Sequence, residues 1–333
     1  MIRRVLVTGS SGHLGEALVR TLRDRSIDVV GIDVRPSEWT DVVGSITDGE
    51  LTRTILDGVD AVLHTATLHK PQVAFLPAKA FVDVNVTGTL TLLESAANAG
   101  VRSFVMTSST TVFGDALIPA PNAPAAWIDE SVVPIAKNIY GATKAAAEDL
   151  CRLISRNQGL PCVVLRTSRF FPEADDSPNP ADGRSDDNVK ADEYAFRRVA
   201  LEDVVDAHLL AAERAPDVGF RRYVVSATTP FTSADLPRLR ADAAGVFARR
   251  APAAAAEWRR RGWQFPARVD RVYVNRLARD ELGWAPRFDL DAISALVAST
   301  GGVSTPLARV VGSKEYQGSS YHRSEFRPAS SDA

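Results

Sequence analysis

The sequence has few cysteines, no long apolar run and almost no net charge. Its 333 residues include two cysteines, Cys151 and Cys162, which is too few for a disulfide framework or a cysteine-based metal site. No stretch approaches the roughly 18 apolar residues of a membrane span, and the first apolar run, Val5 to Val7, is too short for a signal peptide. A net charge of −2 indicates neither a nucleic-acid nor a membrane partner. We therefore expect a globular cytoplasmic protein.

Strand-like and helix-like segments alternate in the N-terminal half. Five apolar runs have the length and composition of buried strands, at residues 4–8, 28–32, 61–66, 103–109 and 161–166. Between them, apolar residues recur at helical spacing at 14–24, 50–58, 81–100 and 140–159. This alternation predicts an α/β fold with a doubly wound, Rossmann-like parallel sheet covered by helices on both faces.

Three glycines spaced three apart open a helix directly after the first strand. In TGSSGHLG, Gly9 permits backbone angles that a Cβ forbids, Gly12 lets a pyrophosphate approach the main chain, and Gly15 lets helix and strand pack closely. The N–H groups and the dipole at a helix N-terminus then hold phosphates. Alone, this pattern is equally typical of a tight turn. Asp33 ends the second strand 18 residues past Gly15 and favours NAD, because a carboxylate there meets the adenosine ribose hydroxyls.

The composition changes after Pro172, and three units are predicted. Residues 173–193 hold eight acids against two bases, which predicts an irregular loop bordering the substrate entrance, either as a lid or as a solvated segment. Next come a helix at 201–214, a strand at 222–227, and helical structure at 233–262 broken at Pro237 and Pro252. The predicted units are a dinucleotide-binding domain at 1–170, a smaller α/β substrate region at 171–312 with parts of the sheet returning near 195–228, and a polar tail at 313–333.

A second group of polar residues combines a strand end with a helix. Ser109 ends the strand at 103–109, and Tyr140 and Lys144 share one helix face in YGATK. A tyrosine with an ordinary pKa of about 10 is a poor base at neutral pH, and a nearby ammonium lowers that pKa by about one to three units. Such a tyrosine can move a proton on and off a hydroxyl that Ser109 steers, while a hydride moves to a nicotinamide. Alone, the Tyr–Lys spacing is typical of a surface helix; beside the glycine loop it predicts a catalytic set.

The spaced motifs resemble those of the extended short-chain dehydrogenase/reductases, especially the NAD-dependent epimerase/dehydratase group that acts on nucleotide sugars. The likeness runs from Arg4 to about Leu296. It rests on TGSSGHLG at 8–15, HTAT at 64–67, NVTGT at 85–89, TSSTTVFG at 107–114, YGATK at 140–144, LRTSRFFP at 165–172, LEDVVDAH at 201–208 and LARDELGWAPRFDL at 277–290. The set is specific for the superfamily and much less specific for the reaction.

The resemblance implies NAD as the cofactor. It implies that the three glycines hold the pyrophosphate, that Asn85 braces the site and that Lys144 binds the nicotinamide ribose. Arg35, two residues past Asp33, is placed to accept the 2′-phosphate of NADP, but the carboxylate of Asp33 makes NADP the less favoured alternative. The implied cofactor-binding residues are Gly9, Gly12, His13, Leu14, Gly15, Asp33, Arg35, Ser45, Ile46, Thr65, Ala66, Thr67, Asn85, Thr107, Tyr140 and Lys144.

The resemblance also implies which residues meet the substrate. The implied catalytic residues are Ser109, Tyr140 and Lys144, and the implied substrate contacts are Thr67, Ser109, Thr110 and Arg169. Arg169 stands where the family often has an Asn that meets the sugar-nucleotide diphosphate. Its guanidinium either binds phosphate or carboxylate bidentately or forms a structural ion pair.

The other basic residues and the histidines predict no additional binding site. The arginine pairs at 197–198 and 221–222 and the run at 259–261 are predicted to be solvated faces. His64 and His69 have no carboxylate or cysteine at ligand spacing, so we predict no metal site and assign His64 to the cofactor pocket.

The leading prediction is epimerisation or dehydration of a nucleotide sugar through tyrosine-assisted hydride transfer to NAD. The alternative enzyme reduces or oxidises a carbonyl or alcohol on a substrate without a nucleotide. A dinucleotide-sensing regulator is a third interpretation, which the presence of Tyr140 and Lys144 disfavours. The helical stretches 81–99 and 140–157 carry apolar residues on more than one face, and in relatives the equivalent helices pair, so we expect a homodimer.

Overall fold

Seven parallel strands form one sheet at the centre of a computed structural model that describes residues 2–173 and 183–314. The strands are β1 Arg4–Thr8, β2 Asp28–Asp33, β3 Val42–Val43, β4 Ala61–His64, β5 Ser103–Ser109, β6 Ala126–Ile128, β7 Cys162–Thr167, β8 Phe220–Val225 and β9 Arg271–Tyr273. The large sheet has the order β3-β2-β1-β4-β5-β7-β8, and every pairing in it is parallel. β6 and β9 pair in a separate two-stranded sheet. The predicted Rossmann-like fold class is confirmed.

Helices lie between these strands and after the last of them. They are α1 His13–Asp24, α2 Gly49–Ile55, α3 Ala78–Phe81, α4 Thr89–Asn98, α5 Ile139–Gln158, α6 Asp186–Glu193, α7 Leu201–Val218, α8 Leu236–Ala241, α9 Ala243–Arg250, α10 Pro252–Arg261, α11 Arg276–Leu282, α12 Leu290–Thr300 and α13 Pro306–Val311. A π-helical stretch, Val82–Gly88, joins α3 to α4. None of the helices described is long and apolar enough to cross a bilayer.

Alternate residues of the central strands enter two different cores. Val5 of β1 and Val105 of β5 pack on the face covered by α1 and α7. Leu6 and Phe104, one position along each strand, pack on the face covered by α4 and α5. Because side chains alternate across a strand, a strand buried on both faces reads as a continuous apolar run. This is why the central strands were predictable from apolar runs.

The C-terminal elements build a further core of their own. Phe247 of α9, Trp258 of α10 and Val272 of β9 lie in it and are almost completely buried. In contrast, α7 and β8 return to the large sheet, where Val204 and Tyr223 belong to its core. The domain limits given above stay predictions.

Residues 186–193 form a helix where the sequence analysis predicts an irregular loop. Ser185 caps this helix by accepting a hydrogen bond from the N–H of Asn188 at 3.2 Å. Asp186 and Asp187 occupy the first turn, where negative charge stabilises the helix dipole. The acids that indicated a loop are therefore the charge pattern of a helix N-terminus. Residues 174–182, part of the segment 173–193 considered as a lid, lie outside the described residues.

Other differences concern short elements and helix ends. Strands β3, β6 and β9 have only two or three residues each, too few to show a period of two. The helical stretch at 233–262 breaks at Asp242 and before Pro252, not at Pro237. Pro237 lies in the first turn of α8, where a missing N–H leaves no helical hydrogen bond unmade.

Helix α1 begins in close contact with the turn after β1. A Cβ built on Gly15 lies 1.9 Å from the carbonyl oxygen of Gly9, so only glycine allows this approach. Gly9 has a φ of +74°, and a Cβ there lies 2.8 Å from the backbone N of Ala66. The first and third glycines thus set how closely α1, β1 and the turn after β4 approach one another.

Replacing Gly15 with alanine should destabilise the protein strongly. The added methyl group overlaps a backbone carbonyl, which can move only if α1 shifts away from the sheet. Overpacking of this kind costs on the order of 3 kcal/mol. We expect equilibrium urea unfolding to show a loss of about that size.

Gly302→Ala is the matched control, because no atom lies within 4 Å of its Cβ position and its φ is not positive. Its stability should stay within about 0.5 kcal/mol of the wild type. If Gly15→Ala matched the wild type as well, the close packing of α1 would be wrong.

Candidate active site

A cavity of about 730 Å³ lies at the carboxyl ends of the strands of the large sheet. Its lining includes Gly9 after β1, Asp33 at the end of β2, Thr65 after β4, Thr110 after β5 and Arg169 after β7. The chain reverses its direction of strand addition between β1 and β4. Ligands of doubly wound sheets bind at this edge, beside the point of reversal.

Most of the predicted site residues line this cavity. They are Gly9, Gly12, Leu14, Asp33, Arg35, Ser45, Ile46, Thr65, Ala66, Thr67, Thr107, Ser109, Thr110, Tyr140, Lys144 and Arg169. Four others do not line it, and each of the four is buried: His13, Gly15, His64 and Asn85.

Two backbone N–H groups hold the carboxylate of Asp33. Its Oδ2 accepts a hydrogen bond from Ser11 at 3.1 Å, and its Oδ1 accepts one from Arg35 at 3.0 Å. The first bond ties the carboxylate to the glycine turn, and the second ties it to the loop after β2. Its position at the cavity wall is therefore fixed by main chain on both sides.

His13 lies against Glu173 behind the glycine turn. Its Nε2 lies 2.8 Å from Oε1 of Glu173, which also accepts hydrogen bonds from the Ser313 hydroxyl at 2.8 Å and the Lys314 N–H at 2.9 Å. Burial opposes ionisation, but the hydrogen bonds, that with His13 first, lower the pKa of Glu173 to about 2. The Lys314 ammonium pairs with Glu16 in the first turn of α1. Residues 313–314 of the predicted polar tail are thus bound to α1 through two glutamates.

His64 lies behind the cavity wall, so its assignment to the cofactor pocket is wrong. Thr89 donates to the carbonyl of Asn85 at 2.8 Å and accepts from His64 Nε2 at 2.9 Å. His64 Nδ1 therefore accepts from the Thr8 hydroxyl at 2.8 Å, and burial lowers the pKa of this histidine to about 3. Thr8 Oγ1 accepts in turn from the N–H of Ala66 at 3.2 Å. This chain of hydrogen bonds between neutral groups positions the turn after β4. Among the residues that the structure describes, no group of three histidine, cysteine, aspartate or glutamate side chains could hold a metal ion.

Asn85 braces the cavity wall from behind. Its Oδ1 accepts hydrogen bonds from the Thr67 hydroxyl at 2.9 Å and the Leu68 N–H at 2.8 Å. Its Nδ2 donates to Thr143 Oγ1 at 3.2 Å. Asn85 lies in the π-helical stretch, a distortion that is frequent at functional sites. It ties the turn after β4 to helix α5, next to Lys144.

Tyr140 and Lys144 lie one turn apart at the start of α5, and both are buried in the cavity wall. Lys144 Nζ donates to the carbonyl of Thr107 at 2.8 Å. Burial lowers the pKa of Lys144 to about 8 and raises the pKa of Tyr140 to about 12, with Ser109 opposing the second shift by a hydrogen bond. The prediction that Lys144 lowers the pKa of Tyr140 is therefore wrong in direction, because burial of the phenol dominates.

A buried histidine holds the side chain of Thr107. His208 Nδ1 donates to the carbonyl of Val204 at 2.8 Å, which leaves Nε2 to accept from the Thr107 hydroxyl at 2.7 Å. Burial lowers the pKa of His208 to about 4, so the ring is neutral at physiological pH. Helix α7 thereby anchors the strand end whose carbonyl receives Lys144.

Glu148 forms a buried salt bridge one turn beyond Lys144. Its Oε1 accepts from Nε of Arg166 at 3.1 Å and its Oε2 from Nη2 at 2.7 Å. Ser108 Oγ donates to Oε1 at 2.6 Å, and Arg222 Nε lies 2.9 Å from Oε2. Glu148 and Arg166 are 1% and 3% exposed. Sequence reasoning missed this bridge; the available signal was a glutamate four residues after Lys144 on the buried face of α5.

Basic and aromatic side chains line the cavity on the β7 side of the sheet. We call Lys137, Arg169, Arg197 and Arg271 the basic end of the cavity; Phe170, Phe171 and Tyr273 line it beside them. The interpretation of 197–198 as a solvated face is wrong, because Arg197 lines the cavity and Arg198 is buried, donating to the Phe171 carbonyl at 2.9 Å.

A seven-stranded parallel sheet with a glycine turn at its point of reversal defines the Rossmann-like class of proteins. A model of the NAD dependent epimerase/dehydratase family matches residues 5–185. The match covers more than half of the chain, and the chain belongs to this family of enzymes. The resemblance inferred from the motifs is thereby confirmed.

Individual relatives differ in their named activities. The chain is 27% identical over 338 residues to a 3-beta-hydroxysteroid dehydrogenase of Mycolicibacterium neoaurum, covering 88% of this chain and 89% of that protein. It is 33% identical over 174 residues to a UDP-glucose 4-epimerase of Azospirillum brasilense, covering 49% of this chain and 48% of that protein. Its structure is similar to that of a short-chain dehydrogenase/reductase superfamily protein from Agrobacterium tumefaciens with bound NAD, at a TM-score of 0.62 and 25% identity, covering 89% and 96% of the two chains.

NAD is the cofactor of the family, and the cavity fits it. A glycine turn with no room for a Cβ at Gly9 presents bare backbone to the cavity. Gly12 is the N-cap residue of α1, whose N-terminal N–H groups and dipole suit a diphosphate. The fixed carboxylate of Asp33 suits a pair of ribose hydroxyls.

Glu148→Gln should destabilise the protein much more than Asp149→Asn, the change at the next residue of α5. The glutamine keeps the shape but leaves the buried guanidinium of Arg166 without its counter-charge, which costs about 3–5 kcal/mol. Asp149 has a side chain that is 63% exposed and pairs with Arg222 at 2.8 Å, so its loss costs less than about 1 kcal/mol. Urea unfolding of the two variants checks this difference, and equal losses would contradict the buried bridge.

Proposed function

We propose that the protein is an NAD-dependent epimerase or dehydratase of a nucleotide sugar, in which Tyr140 exchanges a proton with a sugar hydroxyl. The main observation in support is that Ser109, Tyr140 and Lys144 line the same cavity as the glycine turn and Asp33. Family membership supports the class of reaction. The 33% identical UDP-glucose 4-epimerase supports the nucleotide sugar.

The proposed cofactor contacts follow from the order of residues along the cavity. Gly9, Gly12 and Leu14 adjoin the pyrophosphate, Asp33 binds the adenosine ribose, and Lys144 binds the nicotinamide ribose. Ser45 and Ile46 line the adenine side, with Arg35 beside the ribose, and Thr65, Ala66, Thr67 and Thr107 line the remainder. When bound, NAD supplies the nicotinamide ring that accepts and returns a hydride.

Tyr140 is proposed to carry the proton. With a pKa near 12, the buried phenol holds its proton at neutral pH and is ready to donate it to a carbonyl oxygen. In the opposite direction the phenol must accept a proton from the sugar hydroxyl. The hydrogen bond with Ser109 favours the phenolate that this requires, and Ser109 with Thr110 and Thr67 orients the hydroxyl.

A second candidate is the net oxidation or reduction of an alcohol or carbonyl without a nucleotide. The observation that favours it is the likeness to a 3-beta-hydroxysteroid dehydrogenase across 88% of the chain. The apolar side chains of Leu117, Ile118 and Phe170 in the cavity lining are compatible with such a substrate. The two candidates differ in the fate of the cofactor: the first regenerates NAD within one turnover, and the second releases NADH.

The proposal is tested by one assay on the wild type and Tyr140→Phe. Given candidate nucleotide sugars, the wild type should form product without stoichiometric absorbance at 340 nm. Tyr140→Phe should lose at least about 10²-fold in kcat, because it lacks the proton carrier. Calorimetric titration should show NAD affinity nearly unchanged, because the phosphate cradle is intact.

Product formed together with equimolar NADH would refute the proposal of an epimerase and favour the second candidate. Full activity of Tyr140→Phe would refute the catalytic assignment under both candidates.

We further propose a cytoplasmic homodimer. Both cysteines are free thiols buried in the chain, as suits a reducing compartment. Val82 and Leu153, each 41% exposed, lie on the two helical stretches expected to pair. Exposed apolar side chains on adjoining helices are consistent with a symmetric interface.

Light scattering at micromolar concentration should report twice the chain mass of 35.9 kDa. Leu153→Asp should shift the protein towards the single-chain mass, because it places a charge in the interface. Val310→Asp is the control: Val310 is 61% exposed on α13, outside these helices. A wild type of 35.9 kDa, or equal effects of both variants, would contradict this interface.

A further inference from the structure

The wall of the cavity beside the glycine turn contains residues from two distant parts of the chain. Glu173, which follows β7, and Lys314, which follows α13, line the cavity. Gly9 and Gly12 line it as well. In Rossmann-like proteins the diphosphate of a dinucleotide lies at this turn, at the N-terminus of the first helix. The two side chains therefore belong to the same cavity as the diphosphate site.

One carboxylate oxygen joins the two segments. Oε1 of Glu173 accepts a hydrogen bond from the Ser313 hydroxyl at 2.8 Å and another from the Lys314 N–H at 2.9 Å. The same oxygen lies 2.8 Å from Nε2 of His13. His13 is buried and is the first residue of α1. The contact therefore ties both segments to the start of the helix that suits the diphosphate.

The ammonium of Lys314 makes a second attachment, to Glu16 in the first turn of α1. Glu16 is 4% exposed, and its other oxygen accepts a hydrogen bond from Nε of Arg20 at 2.7 Å. A buried carboxylate that loses its last cation is strongly destabilised. Because Arg20 stays with Glu16, Lys314 can leave this carboxylate without leaving a buried charge unpaired. The attachment is therefore reversible.

Helix α13 brings residues 313–314 to the cavity. Val311, its last residue, packs in the core that α1 and α7 share. Gly312 follows with a φ of +68°, a backbone conformation that glycine adopts without strain, and the chain turns there. Apolar packing thus fixes the chain up to Val311, and the polar contacts of Ser313 and Lys314 hold it beyond the turn.

Different interactions hold the different walls of the diphosphate site. Val7 of β1, Leu14 of α1 and Leu63 of β4 belong to one apolar core. The wall made by Glu173 and residues 313–314 is held by hydrogen bonds and an ion pair. Such bonds are exchanged for bonds to water at a small net cost, whereas opening a core exposes apolar surface. Of these walls, the polar one therefore opens more easily.

We propose that Glu173, Ser313 and Lys314 form a clasp that opens when NAD enters or leaves the cavity and that slows its exchange. The inference goes beyond the proposed function, because it concerns the exchange of NAD and not the reaction in which NAD takes part. Slow exchange has no cost in a reaction that regenerates NAD within one turnover, and it limits kcat in a reaction that releases NADH.

The test is the rate at which the full chain releases NADH in a stopped-flow experiment, in which excess NAD displaces NADH and the change in NADH fluorescence is followed. Glu173→Ala should raise this rate at least about fivefold, because it removes the acceptor of two hydrogen bonds. Ser313→Ala, which removes one of them, should raise it by a smaller factor. Lys314→Met should raise it as well, because it removes the attachment to Glu16. Association should accelerate together with release, since the contacts of the clasp are within the protein, so the dissociation constant should stay nearly unchanged.

A purely electrostatic action of these side chains on the diphosphate predicts a different pattern. Loss of the Glu173 carboxylate takes a negative charge away from the phosphates and would slow release, whereas loss of the Lys314 ammonium would speed it. The clasp predicts faster release in both variants. The sign of the effect of Glu173→Ala therefore separates the two explanations.

Arg309→Met is the matched control for Lys314→Met. Arg309 is an exposed residue of α13 that donates to the carbonyl of Ser304 at 2.8 Å. Its release rate should stay within about twofold of the wild type. A dissociation constant near the wild-type value shows that a variant is folded. If Glu173→Ala does not bind NADH, Ser313→Ala and Lys314→Met decide by the same criterion.

The inference is overturned if Glu173→Ala releases NADH no faster than the wild type, or if Arg309→Met accelerates release as much as Lys314→Met. Its failure is distinguishable from failure of the proposed function. Faster release in Glu173→Ala with full turnover in Tyr140→Phe would refute the function and keep the clasp. Unchanged release in Glu173→Ala with turnover lost in Tyr140→Phe would do the reverse.

Discussion

The contact between Gly15 and the carbonyl of Gly9 is the constraint on which the rest of the cavity depends. Because α1 begins in contact with this carbonyl, the N-terminus of the helix lies directly at the edge of the sheet. The N–H groups of Gly9 and Ser10 then donate to the carbonyl of Ile32 at 2.8 and 3.2 Å. The same turn supplies the N–H of Ser11 to Asp33. A Cβ at Gly15 would therefore displace the helix, the end of β2 and the carboxylate together.

Helix α5 is the second fixed element, and buried polar contacts hold it at two levels. Lys144 binds the end of β5, whose Thr107 is held by His208, and Glu148 binds Arg166 in β7. A buried ion pair contributes little net stability compared with apolar packing, but losing one partner is expensive, so alternative placements of the helix are disfavoured. The phenol of Tyr140 lies one turn before Lys144, so the contacts that fix α5 also fix the position of the phenol.

Local patterns made much of the sheet and the site predictable. The main strands of the large sheet are apolar runs, and the glycines, Asp33, Tyr140 and Lys144 stand at short, characteristic spacings. The contacts that were missed join residues whose spacing carries no signal. Glu148 and Arg166 are 18 residues apart, and Thr107 and His208 are 101 apart.

Burial was the other property that the sequence did not reveal. The pKa of Tyr140 was predicted to fall, because a lysine four residues away is visible in the sequence and the low-dielectric surroundings are not. Arginines 197 and 198 look like a solvated pair until β7 and β9 are placed on either side of them. By composition alone the acids of α6 predict a loop, whereas the cap at Ser185 makes them the first turn of a helix.

The two ends of the cavity are under different physical constraints. At the cofactor end, backbone N–H groups and a single carboxylate are arranged by glycine geometry, which any member of the family can share whatever its substrate. At the basic end, long side chains from the segment after β7, the segment before α7 and strand β9 line the cavity, and one of them, Arg197, pairs with the buried Glu193. Glycine geometry fixes the cofactor end alone, so the ligand of the basic end has to be argued from the side chains of that end and not from the fold.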